Sequence, residues 1–332
     1  MIAAGTDKAA APRAGTLALS LLAVPLNVTI LEALAKKSKS LVALRRAAGS
    51  PATTTMQMHM RTLLRAGVLE RRGKDRFSGA IVFGLTPAGH GLVGLASVLQ
   101  TWLAAAPEGE LELGSAEAGR KVAVLADGWS AGIVRLLAAG PLSAAELGLV
   151  LRGLSPAALE EQLTAMERAG LIDVAPAGDD DEVRYQPTTW LRRAIAPLAA
   201  AAHWEQLHGL EGAGPITRLE IESAFLLSTP LVRLPRQLSG TCRLVVDVQA
   251  PGGFKHAGAF VTAGRGRITS CVTLIQGQAD SWVSGCPTAW LRAVINGDAE
   301  SLDVVGAGPL PAALLDGLHT ALFGPEAAAP PA

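Results

Sequence analysis

Basic side chains gather in three short segments within the first quarter of the chain. These segments hold Lys36, Lys37 and Lys39; Arg45 and Arg46; and Arg71, Arg72, Lys74 and Arg76. Lysine and arginine donate charge-assisted hydrogen bonds to phosphate and carboxylate oxygens, and arginine can donate two in parallel. The chemistry available to these segments is therefore the capture of a partner that carries several anionic oxygens.

Between the second and third segments lies a stretch suited to more selective contacts. Met56, Met60 and Leu63 recur there at helical spacing, which predicts a buried face. The opposite face would carry Thr53, Thr54, Gln57, Met58 and Arg61. Threonine and glutamine can both donate to and accept from base edges, and arginine can bind guanine with two N–H groups. This face is therefore suited to selective hydrogen bonding with a partner, in which Arg61 could donate two bonds in parallel.

The charge balance of the whole chain hides a strong asymmetry. The 332 residues hold 29 basic and 29 acidic side chains. Residues 1–103 contain 13 Lys and Arg against 4 Asp and Glu, residues 104–210 contain 8 against 15, and residues 211–332 contain 8 against 10. The net charges of these three regions, in chain order, are +9, −7 and −2. A basic first part suggests a polyanionic partner, which the acidic middle part would repel.

The chain contains an internal repeat, and the segments expected to position these side chains belong to its first copy. A shift of 103 residues lays Ile30 on Ile133, Leu44 on Leu147 and Met60 on Leu163. The same shift aligns Arg65-Ala-Gly67 with Arg168-Ala-Gly170, and a shift of 102 aligns Trp102 with Trp204. Because solenoid units repeat every 20 to 50 residues, so long a period indicates one small domain per copy. We call residues 15–105 the first repeat and residues 120–209 the second repeat.

Each repeat shows the same order of predicted elements. An apolar helix comes first, at about 26–36, followed by a short helix capped by Ser40 or Ser143. Glu146 is the expected capping-box partner of Ser143. The third helix should start at Ser50-Pro51 or Ser155-Pro156. Glycine ends that helix, a hairpin with a polar tip follows, and a last apolar helix closes the repeat.

This order resembles the winged helix-turn-helix, and in particular the HxlR branch of the MarR- and ArsR-like regulators. The clearest match to the family pattern is Phe83-Gly-Leu-Thr-Pro-Ala-Gly89. The corresponding stretch of the second repeat, Tyr185-Gln-Pro-Thr-Thr-Trp-Leu191, matches that pattern less well. The resemblance covers about 80 residues per repeat. It implies that the third helix enters the major groove while the hairpin, or wing, holds phosphates. The expected contact residues are Lys36, Lys37, Lys39, Thr53, Thr54, Gln57, Met58, Arg61, Arg71, Arg72, Lys74 and Arg76.

The second repeat differs from this pattern at the positions that the resemblance assigns to DNA contact. Glu160, Glu161 and Thr164 stand where the first repeat has Gln57, Met58 and Arg61. The wing tip reads Asp179-Asp180-Asp181-Glu182, an acidic run that would repel phosphate. We interpret the second repeat as a degenerate copy that packs against the first or offers an acidic face to another protein, with mimicry of DNA left open.

The C-terminal region, 215–324, follows a linker of small residues at 209–215. Alternating runs from Arg243 onward predict strands, and helices are expected at 287–295 and 310–323. The stretch from Ala279 to Leu318 resembles sterol-carrier-protein-like domains, whose members hold apolar ligands between a curved sheet and helices. That resemblance implies a ligand sensor, for which the candidate lining residues are Phe225, Phe260, Leu274, Trp282 and Trp290. An ordinary core is the other interpretation of these aromatic side chains.

Signals for catalysis and metal binding are poor. His203 and His208 are five residues apart, about 140° round a helix, whereas a zinc helix needs a spacing of four. Small-molecule methyltransferases also begin with a winged helix, but the glycine runs at 264–266 and 306–308 do not lie in a βαβ unit. We therefore expect no enzyme activity, no metal and no cofactor. Three cysteines without C-x-x-C spacing predict buried thiols in a reducing cytoplasm.

The sequence thus predicts an α+β chain with two tandem winged helix-turn-helix domains and a small sterol-carrier-like domain. The expected function is transcriptional regulation in a bacterial cytoplasm, with double-stranded DNA as partner and no membrane. An apolar effector and a homodimer are left open, as are the operator and the sign of regulation. The alternative is a protein-interaction scaffold in which neither repeat binds DNA.

Overall fold

A computed structural model describes residues 13–74, 79–176, 182–209, 214–250, 253–306 and 308–324. These residues form a mixed α+β structure, which confirms the predicted class. Its sheets are small: two have three strands and one has five. No single helix of the described ranges is long and apolar enough to cross a membrane.

The first repeat contains five helices and one sheet. Its elements are α1 (Thr16–Leu22), α2 (Pro25–Lys36), β1 (Lys39–Ser40), α3 (Leu41–Ala47), α4 (Thr53–Arg65), β2 (Leu69–Lys74), β3 (Ile81–Leu85) and α5 (Pro87–Ala104). Helix α1 is an element that the sequence pattern did not separate from α2. Pro25 occupies the first turn of α2, and the two helices meet at 87°.

The second repeat contains the same order of elements. They are α6 (Ala116–Ala126), α7 (Gly128–Leu137), β4 (Leu142–Ser143), α8 (Ala144–Val150), α9 (Pro156–Arg168), β5 (Ile172–Val174), β6 (Arg184–Pro187), α10 (Thr189–Arg193) and α11 (Ile195–His208). The strand order β4-β6-β5 matches the order β1-β3-β2 of the first repeat. Within the described residues, the two repeats differ in element order at one point, where the closing helix is broken into α10 and α11.

Helix caps are where the two repeats can be compared most closely. Ser40 caps α3 and Ser143 caps α8, the latter with the predicted capping box from Glu146. Ser155 caps α9 with Pro156 in its first turn, as predicted. The prediction for Ser50-Pro51 is wrong, because α4 begins only at Thr53. Ser50 has a φ of 60°, so its backbone forms a turn and cannot cap the helix.

One hydrophobic core runs through both repeats. Buried residues of α1 to α5 and of α6 to α11 belong to the same cluster. Helix α5 lies against α11, and Trp102 of α5 stacks on Trp190 of α10 with ring centroids 4.1 Å apart. The two repeats therefore fold as one body and do not hold separate cores.

The contact between the repeats follows a pseudo-two-fold relation. The Trp102 indole donates to the carbonyl oxygen of Trp190 at 3.0 Å, and the Trp204 indole donates to that of Ala88 at 2.8 Å. Under the 102-residue shift Trp102 corresponds to Trp204, and Ala88 corresponds to Trp190. Each repeat thus gives the other the same hydrogen bond, which is the property of a two-fold interface. The repeats form an internal pseudo-dimer.

The C-terminal region is one sheet with helices packed on one face. Its elements are α12 (Arg218–Ser228), a 3-10 turn (Thr229–Leu231), β7 (Gly240–Ala250), β8 (Gly253–Gly264), β9 (Arg267–Val272), β10 (Ser281–Gly285), α13 (Pro287–Asn296), β11 (Asp303–Gly306) and α14 (Leu310–Phe323). The strand order is β11-β10-β7-β8-β9, with β10 parallel to β7 and the other pairs antiparallel. The predicted helices α13 and α14 are confirmed, whereas α12 was missed.

Alternation along the strands decides which face the helices cover. Cys242, Leu244 and Val246 of β7 are buried against the helices. Arg243 lies on the other face, where it pairs across the sheet with Phe260 and Trp282. The prediction of buried cysteines is confirmed for Cys242, whose thiol pKa is raised by burial, but it is wrong for the exposed Cys286. Cys286 stands just before α13, outside the core.

Candidate nucleic-acid interface

Helix α4 presents to solvent the side chains that the sequence placed there. Met56, Met60 and Leu63 are buried in the shared core. The exposed residues on the opposite side include all five predicted ones, Thr53, Thr54, Gln57, Met58 and Arg61. Met58 is 56% exposed. The outer face of α4 thus combines hydrogen-bonding groups with one exposed apolar side chain.

A network of hydrogen bonds fixes the position of α4. The Arg45 side chain donates to the Pro51 carbonyl oxygen at 2.8 Å and to the Thr53 hydroxyl at 3.2 Å. These bonds hold the turn in which Gly49 and Ser50 both have positive φ values, 74° and 60°. Arg45 therefore orients the start of α4 from the preceding helix.

A second, partly buried link joins α4 to the first two helices. His59 Nδ1 lies 3.0 Å from Asn27 Oδ1, and the Asn27 amide donates to the Leu21 carbonyl oxygen at 2.9 Å. Asn27 is 2% exposed, so these bonds satisfy a buried polar group. In the second repeat, Gln162 and Ser130 occupy the equivalent positions and are also hydrogen-bonded. The same polar link therefore orients α4 and α9.

The cations around α4 are mostly without acidic partners. Lys36 and Lys37 are exposed at the end of α2, and Lys39 is half-buried in β1. Arg71 and Lys74 are exposed on β2. Among the described residues, no salt bridge involves these five side chains or Arg61. Their charges are therefore available to an anionic partner.

Arg72 is the exception among the predicted contact residues. Its side chain bonds Glu70 at 2.8 Å and donates to the Leu85 carbonyl oxygen at 2.7 Å. A third bond, at 3.4 Å, reaches the Ser38 hydroxyl. The guanidinium thus crosses the sheet over Gly84 and ties β2 to the segment before β1. Arg72 positions the wing, while the predicted contact Arg76 lies in 75–78, outside the described residues.

The matching surface of the second repeat is acidic. Glu160 and Glu161 are exposed on α9, at the positions of Gln57 and Met58. Arg184 of β6 is held by Glu146 at 3.1 Å and by Glu182 at 3.7 Å. The run Asp179 to Asp181 lies outside the described residues. Carboxylates at these positions would repel phosphate, so among the described residues of the two repeats the surface suited to a polyanion is that of the first repeat.

An apolar cavity of about 150 Å³ lies between α11 of the second repeat and the helices of the C-terminal region. Two of the five predicted ligand residues line it, Phe225 and Trp290, with ring centroids 5.3 Å apart and nearly perpendicular. The Trp290 indole donates to the Val245 carbonyl oxygen at 2.8 Å, which fixes the ring. Apolar side chains of α11 and α14 complete the wall, including Leu198 and Leu318.

The other three predicted ligand residues do not reach this cavity. Phe260 and Trp282 lie on the opposite face of the sheet, and Trp282 is 41% exposed. Leu274 is 65% exposed beyond the end of β9. The sequence missed the contribution of α11, because α11 belongs to the second repeat and no local pattern indicates that it also lines a cavity.

A partly buried ion pair lines one side of the cavity. Arg13 Nε lies 3.4 Å from Glu220 Oε1, and both side chains are less than a fifth exposed. Burial lowers the pKa of Arg13, and the nearby carboxylate of Glu220 acts in the opposite direction. Glu220 also accepts a hydrogen bond from the Thr217 amide at 2.7 Å, so the cavity wall contains one compensated charge pair.

No protein-family model matches the chain, and no curated protein sequence matches it.

Proposed function

We propose that the chain is a transcriptional regulator that binds duplex DNA through a winged helix formed by the first repeat. The observation that carries this proposal is the outer face of α4, where Gln57 and Arg61 stand exposed. Lys36, Lys37 and Lys74, at the neighbouring elements α2 and β2, are exposed and have no salt bridge to any described residue. In this interpretation α4 enters the major groove, and β2 with β3 forms the wing. The element order and the strand order β1-β3-β2 support the proposal.

The proposed contacts divide into two kinds. Lys36, Lys37, Arg71 and Lys74 would bind phosphates, which adds affinity without sequence information. Thr53, Thr54, Gln57 and Arg61 would face base edges, and Met58 could contact a thymine methyl group. Each phosphate neutralised changes the slope of log affinity against log salt by about −0.9. A Lys37→Ala variant should therefore bind every duplex more weakly and with a slope that is about one unit shallower.

The apolar cavity adds a candidate effector site to this proposal. A cavity of about 150 Å³ lined by apolar side chains stays dry and accepts a benzene-sized molecule in another protein. Here α11 contributes to the cavity and also packs on α5 of the first repeat. An apolar compound that binds one arrangement of these helices more tightly would bias the DNA-binding repeat.

Thermal unfolding with and without benzene or indole tests the effector site. We expect both compounds to raise the Tm of the wild-type chain, because ligands that bind only the folded state stabilise it. The Ala202→Leu variant should lose this response, since Ala202 lines the cavity and a larger side chain would fill it. An unchanged response in that variant would exclude this cavity as the site.

Selection of bound fragments from a genomic library, followed by affinity measurements across a salt series, tests the main proposal. We expect sequence enrichment and a steep salt dependence. An Arg61→Ala variant that weakened all sequences equally would exclude base reading by Arg61. No enrichment, with or without apolar compounds, would instead favour the scaffold alternative, in which the acidic second repeat binds a basic protein.

A further inference from the structure

Four arginines line one groove in the C-terminal region. Arg233 and Arg236 follow the 3-10 turn, and Arg265 and Arg267 lie at the turn between β8 and β9. The groove encloses about 750 Å³, within the size range of small-molecule sites. These residues come from segments some thirty positions apart, so the fold and not the sequence brings them together.

Backbone hydrogen bonds lock the two segments to each other. The Leu234 amide donates to the Gly266 carbonyl oxygen at 3.3 Å, and the Gly266 amide donates to the Leu238 carbonyl oxygen at 2.9 Å. The packing at Gly266 leaves no room for a side chain, because a Cβ atom would lie 2.7 Å from Arg236 Cα. The backbone that carries the arginines is therefore held in one conformation. A ligand would bind without the entropy cost of ordering that backbone.

Arg265 occupies a backbone conformation that disfavours arginine. Its φ is 52° and that of Gly266 is 76°, the values of a two-residue hairpin turn in which Asn-Gly is preferred. Arg265 and Ser50 are the only non-glycine residues with positive φ in the described part of the chain. Strain of this kind persists where the surroundings impose it and often marks a functional site.

The four guanidinium groups have no acidic partner among the described residues. None of the salt bridges or side-chain hydrogen bonds there involves Arg233, Arg236 or Arg267, and only the backbone amide of Arg265 is bonded, to the Ser239 hydroxyl at 3.0 Å. All four side chains are exposed, so their charges are accessible to an anionic ligand in the groove.

The surroundings favour a small ligand over a polymer. Thr229, Pro230 and Ile268 belong both to the groove and to a neighbouring pocket that the second repeat lines with Gly140 and Gln186. The second repeat therefore bounds the groove on one side, which limits the length of a ligand that lies in it. Buried Val232 and Leu234 supply apolar wall for an organic group.

We propose that this groove binds a small molecule carrying two or more linked phosphates, held by Arg233, Arg236, Arg265 and Arg267. Arginine presents paired N–H donors that match phosphate oxygens, and an oligophosphate concentrates three or four charges in a small volume. This site is separate from the proposed DNA interface, and neither proposal depends on the other.

Calorimetric titration of the full chain with pyrophosphate and with tripolyphosphate tests the groove. We expect binding to both and tighter binding of tripolyphosphate. Arg236→Gln and Arg265→Asn should each weaken pyrophosphate binding about tenfold, since hydrogen bonds to charged groups are strong. Lys255→Gln, which removes an exposed cation from the same sheet, should leave the affinity unchanged.

A second readout separates a binding role of Arg265 from a structural one. Arg265→Asn creates the Asn-Gly turn that this backbone favours, so the Tm of the ligand-free protein should rise while pyrophosphate affinity falls. A lower Tm together with the lower affinity would assign Arg265 a structural role and overturn its part in the proposal.

Further titrations locate the binding site on the chain and identify the kind of anion that it selects. Pyrophosphate binding that survives Arg236→Gln and Arg265→Asn but disappears with Arg61→Ala would place the site on the first repeat and overturn the proposal. Citrate bound as tightly as tripolyphosphate would show that the groove selects charge and not phosphate. Weakened binding of duplex DNA in the groove variants, without an effect on pyrophosphate, would make the groove a nucleic-acid contact instead.

Discussion

In the first repeat the outer face of α4 carries Gln57, Met58 and Arg61, while the same positions of α9 carry Glu160, Glu161 and Thr164. Their inner faces, in contrast, bury apolar residues at equivalent positions, such as Met56 and Leu159. The two copies therefore keep one packing scheme and carry opposite surface charge. Interior positions are constrained by close packing, whereas exposed ones are free to change as long as the chain stays soluble.

The pseudo-two-fold contact shows what the second copy contributes despite its charge. A homodimer of winged helices presents two equal surfaces, but this internal pair presents a basic one and an acidic one. The shared core also means that each repeat completes the other. We infer that the second repeat supports the fold of the first; under the proposed function, DNA contact is then limited to one side of the pair.

Removal of the tryptophan contact between the repeats should have the largest effect on stability. Trp102→Ala deletes a buried ring, its stack on Trp190 and a hydrogen bond between the repeats. Large-to-small substitutions of buried aromatic residues cost about 3–5 kcal/mol. Denaturant unfolding should show that loss in a single transition for both repeats. Trp282→Ala, at a site 41% exposed, is the matched control and should cost much less; two separate transitions in the wild-type chain would contradict the shared core.

Matched substitutions on α4 and α9 test whether the two repeats differ in DNA binding. Arg61→Ala should weaken binding to the selected duplex by about 1–3 kcal/mol and relax its sequence preference. Thr164→Ala, at the equivalent position, should leave affinity and preference unchanged. Electrophoretic or fluorescence titrations at fixed salt would measure both. Equal losses in the two variants would mean that both repeats contact DNA.

The two serine caps give a smaller, structural comparison. Ser143 accepts from the Glu146 amide at 3.2 Å, and Glu146 accepts from the Ser143 amide at 2.8 Å. At α3 the Ser40 hydroxyl accepts one capping bond, from the Ala43 amide at 3.4 Å, and Ala43 stands at the position that corresponds to Glu146. Ser143→Ala should therefore cost about 1 kcal/mol and Ser40→Ala about half as much. Chemical denaturation resolves this difference, and a larger loss for Ser40→Ala would contradict the role of the capping box.

Acid titration should reveal the smallest difference between the repeats. Hydrogen bonding from the Ser143 amide lowers the pKa of Glu146, and Arg184 acts in the same direction. A folded-state pKa below the unfolded value of 4.5 gives stability that is present above pH 4.5 and lost as the pH falls through the lower value. Glu146→Gln should flatten that part of the stability curve. Because Glu146 is accessible to solvent the effect is small, and an unchanged curve would remove Glu146 from the explanation.

Local signals explain how much of the fold could be predicted. Ser143 with Glu146, Pro156 in the first turn of α9, and the glycines after α4 and α9 each fix an element end through bonds made within a few residues. Where local signals competed, the prediction failed. Ser50-Pro51 has the residue types of a helix start, but Arg45 from the preceding helix holds Pro51 in a turn.

The sequence by itself determined the duplication, the order of the elements, the outer face of α4 and the opposite charges of the two repeats. Periodicity, composition and local hydrogen bonding are sufficient for these features, since each follows from residue types along the chain without knowledge of which distant residues come into contact. Only the tertiary structure decided which aromatic residues meet in the apolar cavity and which arginines share the groove. Phe225 and Trp290 are 65 positions apart, as Trp102 and Trp190 are 88 apart. Such contacts depend on how helices and sheets pack, and no pattern within one segment specifies that packing.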